Sequence, residues 1–172
     1  SVRDVMAWFR DTYENTPFDT MPKILVKDRK GNQVPSPVVS PWMSGDTIRL
    51  LNTLKPDSAP QFYNIANNST SYSTVIQSRA WLPDPVGGIV WFGFDNPAQS
   101  GRIPLFCGIT ELPPSFKISS QNGFSSKSAA WAFRRAARLS QLGWGGTGGR
   151  KNAIKQRKTA AREGDIFFRN SR

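Results

Sequence analysis

The chain has 172 residues, 38% of them hydrophobic, which suits one domain with a core of its own. Its 23 Lys and Arg outnumber 12 Asp and Glu, a net charge of +11, and there is no histidine. That absence excludes Ser-His and Cys-His couples and nearly every zinc geometry, and the scattered acids show no paired-carboxylate spacing.

The charge is unevenly placed. Residues 1–133 hold 12 basic and 10 acidic side chains, a net +2, whereas residues 134–172 hold 11 and 2, a net +9. The basic character therefore belongs to the tail. No apolar run approaches the ~18 residues that a membrane-spanning helix needs, and no leader opens at Ser1. The single cysteine, Cys107, excludes an intramolecular disulfide.

In chain order, Ser1 and Asp4 stand at capping positions of a helix. Val2, Val5, Met6, Phe9 and Tyr13 follow at helical spacing, and Asn15-Thr16-Pro17 is expected to stop it. A chain opening on a helix cap without a start methionine reads as cut from something longer. After the apolar run Ile24-Leu25-Val26 comes a charged turn over residues 27–32. Residues 34–42 hold three prolines and are expected to be extended, and residues 46–54 suit a short helix or strand. Residues 64–71 are polar and expected to be a mobile loop. The two glycosylation tripeptides there, at Asn67 and Asn68, are a pattern that arises often by chance.

Residues 73–110 organise the rest. Three runs rich in β-branched and aromatic residues, over 74–82, 88–94 and 103–109, are bounded by Pro, Gly, Asp or Asn. Their short connections force antiparallel pairing, so the stretch reads as a β-meander. Ile89, Val90, Trp91, Phe92 and Phe94 suggest burial on both faces and a layer beyond the sheet. Pro104 puts the third strand at an edge or bulge. Pro113-Pro114 ends the sheet, and Ser125 or Ser126 is expected to cap a helix running through Leu142. Ala129, Ala132, Phe133 and Ala136 form its expected packing stripe, Arg134, Arg135 and Arg138 project elsewhere, and Gly143 terminates it. Beyond lie a glycine cluster and the basic run, whose last ~25 residues are not expected in the core.

Three segments carry a resemblance: VRDVMAWFRDTYENTPFD at 2–19, WLPDPVGGIVWFGFDN at 81–96 and RIPLFCGITELPPSF at 102–116. In that order they resemble the C-terminal part of cysteine dipeptidases of the dipeptidase A type. These are N-terminal-nucleophile hydrolases, a group that includes the secernins and is related to penicillin V and bile-salt acylases. The resemblance covers roughly residues 1–142. It implies an α+β fold in which the meander and flanking helices are part of a four-layer αββα sandwich. It implies hydrolysis of dipeptides by a cysteine exposed as the first residue, whose α-amine serves as base, with no cofactor.

Residues 1–142 are thus expected to be the C-terminal portion of such a domain, and 143–172 a basic, Gly-rich tail. No catalytic residue carries over, because the family's nucleophile lies in its N-terminal half. A fragment lacking it would be inactive alone, and an uncovered sheet would present an apolar patch that favours self-association. Ser1 is read as a helix cap rather than a nucleophile, and Cys107 as a small buried hydrophobe. Arg79 and Arg49 carry the chemistry to grip a dipeptide carboxylate through a bidentate fork, against the ordinary reading of a solvated arginine. The alternative function is a nucleic-acid-binding module built on the +9 tail with Trp144, Phe167 and Phe168. No recognised binding motif accompanies that charge, so nucleic acid is not the partner the sequence favours.

Overall fold

A computed structural model describes residues 1–19, 23–59, 63–141 and 144. The elements are α1 (Val2–Trp8), β1 (Leu25–Lys27), β2 (Gln33–Pro35), α2 (Gly45–Leu54), β3 (Tyr72–Ser78) and α3 (Asp84–Gly87), then β4 (Gly88–Phe94), β5 (Ile103–Phe106) and α4 (Ala129–Gln141). A 3-10 turn, Pro114–Phe116, precedes α4. The chain is mixed α and β with antiparallel sheets, as the α+β reading expects.

The meander is a three-stranded sheet in the order β3-β4-β5. β4 occupies the bounds read from its apolar run, because Gly87 and Asp95 end it on either side. The first strand is shorter than 74–82 at its far end. Past Ser78, Arg79 N–H still reaches Gly87 O at 2.9 Å, but Leu82 N–H bonds Arg79 O at 3.1 Å, so residues 79–82 close a turn. The third strand stops at Phe106, where Cys107 N–H bonds Gly88 O and Gly108 N–H bonds Pro85 O at 2.8 Å. Pro104 lies opposite Trp91 on an edge strand, where its missing donor is harmless.

Register divides the sheet into two faces. Tyr72, Thr74 and Ile76 share one with Val90, Phe92 and Phe94, while Ser73, Val75 and Gln77 share the other with Ile89, Trp91 and Gly93. α4 and the 3-10 turn cover the first face through Phe116 and Phe133, whose rings lie 5.1 and 6.2 Å from that of Phe94. α1 lies against β3, with Phe9 and Arg10 reaching residues on the second face. The layers beside the sheet among the described residues are thus helices. Coverage is partial, since Ile76 stays 75% exposed.

The helices depart from expectation in their limits. Ser1 caps α1 as read, its side chain accepting from Asp4 N–H while the Asp4 carboxylate reaches back to Ser1 N. The helix ends at Trp8, not at residues 15–17. Asp11 binds the Tyr13 N–H at 2.8 Å, and Tyr13 and Asn15 take positive φ, which ends the helical backbone. α4 begins at Ala129 rather than at Ser125 or Ser126, whose segment forms a turn closed by Ser128 N–H on Ser125 O. Its buried positions are Ala129 and Ala137, with Phe133 half-buried; Ala132 and Ala136 face outward. Ala129 and Phe133 thus hold their expected places, and the stripe continues at Ala137 instead of through Ala132 and Ala136.

A second cluster gathers residues 23–59. Asp28 accepts from Lys30 N–H, Asn32 N–H and the Asn32 amide and shapes the charged turn into a hairpin between β1 and β2. α2 is a helix capped by Ser44, not a strand. Residues 34–42 are extended only through Pro35, then turn, because Val39 N–H bonds back to Ser36 O. Ile24, Val39, Ala59 and Trp144 form the buried centre, with Trp42, Met43, Ile48 and Leu51 against it. The loop at 64–71 is tethered, since Ala66 is 0% exposed and its carbonyl accepts the Trp42 indole N–H at 2.6 Å. Trp144 is 2% exposed and meets the Trp42 ring edge-on at 4.9 Å, so it belongs to this core and offers no face to a base. Leu142, Gly143, Phe167, Phe168 and the basic run lie outside the described residues.

Two outcomes follow for stability. Trp144→Ala should cost about 3–5 kcal/mol in denaturant titration, as for other aromatic truncations in a core. A Cβ at Gly108 would lie 2.6 Å from Pro85 Cβ and 3.0 Å from its backbone, so Gly108→Ala should cost about 1–3 kcal/mol by the same measurement.

Candidate functional site

The densest polar region is the connection between β4 and β5. Asp95, Asn96, Pro97, Ala98 and Ser100 are all buried, unusual for a loop, and their polar groups must find partners inside. Asp95 has φ of 58°, gives its N–H to Ser71 O and accepts from Asn96 N–H. Its other oxygen receives Arg134 Nε at 2.7 Å, which fastens α4 to the sheet end. The Asn96 side-chain Oδ1 accepts Ala98 N–H at 3.0 Å, and the Gln99 side-chain amide donates to Ser140 Oγ.

On the other side of this loop, two arginines from distant parts of the chain meet. Arg10, just past α1, donates through Nη2 to Ser100 O at 3.3 Å. Arg102, just before β5, donates through Nη2 to Ser73 Oγ at 3.0 Å and lies over the Phe9 ring, 5.1 Å from its centre. Gly93 forms the floor: a Cβ there would sit 3.1 Å from Gly101 O and 3.2 Å from both Arg102 Cγ and Ser100 Oγ. Burial pulls the Arg10 guanidinium down from its usual range. Burial, and after it the charge of Arg10, pulls Arg102 down to about 10. Both remain charged at neutral pH, so their crowding is a standing electrostatic cost.

The residues singled out by sequence lie elsewhere. Arg79 follows β3 and donates from its guanidinium to Val86 O, so it clamps the α3 turn. Arg49 is exposed on α2 and pairs with Asp46 three residues earlier. Ser1 caps α1. Cys107 is exposed, contrary to the expected burial, because β5 ends one residue before it and the thiol sits in the turn beside Gly88. Arg79 and Cys107 both touch the α3 turn, through Val86 and Gly87 for the first and Gly88 for the second, while Ser1 and Arg49 lie on other helices. Arg10 and Arg102, which the structure does bring together, are separated by most of the meander and carry no local motif. Among the described residues no group of three His, Cys, Asp or Glu could hold a metal ion, and no helix is long and apolar enough to cross a membrane.

Across residues 1–157 the chain matches the model of peptidase family C69, the dipeptidase A family, and it belongs to that family. The class of activity this supports is a hydrolase acting on peptides. No curated protein and no solved structure gives a match.

The position of Cys107 has a direct check. In native buffer a thiol reagent should modify it about as fast as in denaturant. Modification only on unfolding would return it to the interior.

Proposed function

We propose that the peptides cleaved are dipeptides and that cleavage uses an N-terminal nucleophile which these 172 residues do not supply. A terminal thiol would attack the scissile carbonyl while its own α-amine, with an ordinary pKa of about 7.7–8, takes the thiol proton. Donors aimed at the developing oxyanion would stabilise the tetrahedral intermediate. The same amine then returns the proton to the departing amino acid, and water releases the acyl group from sulfur. This route needs no histidine, and the chain contains none.

One observation carries the division of labour: the single thiol, Cys107, stands exposed at the end of an edge strand, with its N–H engaged by Gly88 O. Its turn neighbours, Phe106 and Gly108, supply no base. The chain's part is then the scaffold: a sheet, its helical cover and one wall of the cleft.

The test is complementation. This chain alone should release no amino acids from a dipeptide panel, and mixing it with the cysteine-bearing N-terminal part of a C69 dipeptidase should start release. Cys107→Ser should leave that rate within about twofold. Hydrolysis by the chain alone, abolished by Cys107→Ser, would make this thiol the nucleophile and overturn the assignment.

A further inference from the structure

We propose that Arg10 and Arg102 form a receptor for one carboxylate, and that its occupant is the α-carboxylate of the peptide substrate. This deepens the dipeptidase reading and rests on it.

The first argument is missing countercharge. Arg10 and Arg102 bind only a backbone carbonyl and a hydroxyl, Ser100 O and Ser73 Oγ. Neighbouring acids are engaged elsewhere: Asp95 holds Arg134 at 2.7 Å, and Asp11 holds the Tyr13 N–H at 2.8 Å. Among the described residues no carboxylate pairs with either guanidinium. Two cations brought together without an acid repel, and their burial compounds the cost.

The second argument is unused donors. Arg10 Nε, Arg102 Nε and Arg102 Nη1 are buried with no hydrogen-bond partner, and Ser100 Oγ beside them is in the same condition. Buried polar groups normally find partners, and a cluster of orphans on one spot points to a missing acceptor. The donors belong to guanidinium forks, whose geometry matches the two oxygens of a carboxylate. Each arginine as a whole is only half-buried, so a carboxylate taking up these donors must displace the packing that now covers them.

The third argument is shape. Gly93 lets Gly101 O, Arg102 Cγ and Ser100 Oγ close in where a Cβ would stand, and the Arg102 guanidinium lies over the Phe9 ring, so this cation is fixed in place. A dipeptide is defined by its short reach from scissile bond to free carboxylate. A fixed pair of cations at that reach would select dipeptides over longer chains, whose carboxylate lies too far along.

The test follows thermal unfolding of the intact chain with sodium acetate, Ala-Ala and Ala-Ala-amide, each against matched sodium chloride. Acetate and Ala-Ala should raise Tm saturably, and Ala-Ala-amide should not. Arg10→Met and Arg102→Met should each abolish the rise. Without ligand, Arg102→Met should raise Tm, because it removes a repelling cation; a fall would make the arginine a structural strut and overturn the receptor. Equal stabilisation by the amide, or a response surviving in both variants, overturns it too. In the complemented peptidase the amide should show KM raised about tenfold or more. Equal cleavage of acid and amide would sink the receptor and leave the peptidase reading standing. Arginine-dependent binding of Ala-Ala with no cleavage by the complemented enzyme would do the reverse.

Discussion

The pair between Asp95 and Arg134 is the contact on which the architecture depends. It joins the end of the central strand to α4 at 2.7 Å, with Asp95 2% exposed and Arg134 well open to solvent. A carboxylate that deeply placed is tolerable only when its oxygens are occupied, and here both are, by Asn96 N–H and the guanidinium. Because Asp95 turns the chain with a positive φ, the loop that follows is folded back beneath α4 instead of running over the surface. That loop then serves two sides at once, holding Ser140 of α4 on one and Arg10 behind α1 on the other. The loop thus adds a shared polar tie to the contacts that α1 makes with β3 and α4 with β4.

Aromatic packing supplies the rest. Phe92, Phe94 and Phe116 stand at mutual centre distances of 4.8 to 6.3 Å, and Phe133 closes the group from α4. Ring pairs at such separations add to simple burial. They are concentrated at one end of the sheet, the end that the Asp95 loop also secures. The opposite end depends on the tight α3 turn, where Gly87 and Gly108 admit close backbone approach and Arg79 grips Val86 O.

How much of this was legible in the sequence depends on how local each signal is. The β4 strand was, because seven apolar and glycine residues, Gly88–Phe94, bounded by Gly87 and Asp95, state their own limits. The α1 cap was, because Ser1 and Asp4 sit three residues apart. The ends of β3 and β5 were not, since Leu82 and Ile109 look like strand residues until local turns take their N–H groups, Leu82 to Arg79 O and Ile109 to Phe106 O. The burial of Cys107 was misjudged for that reason: a strand cysteine and a strand-end cysteine read alike. Arg10 and Arg102 were beyond reach, since only the folded sheet brings together a helix end and a strand start on one face. The membership of the peptidase family was legible from ordered segments, while the residues that bind substrate were not.

The Trp42 and Trp144 contact has a consequence for how the molecule is made. Those indoles lie about a hundred residues apart along the chain, among the longest separations a small domain can ask of its folding pathway. During synthesis the hairpin and α2 emerge early, yet the apolar centre they surround stays unsealed until α4 and the tryptophan beyond it have left the ribosome. The early segment must therefore wait, greasy side exposed, while the residues between the two indoles are made. Chaperone capture of nascent chains would concentrate in that interval.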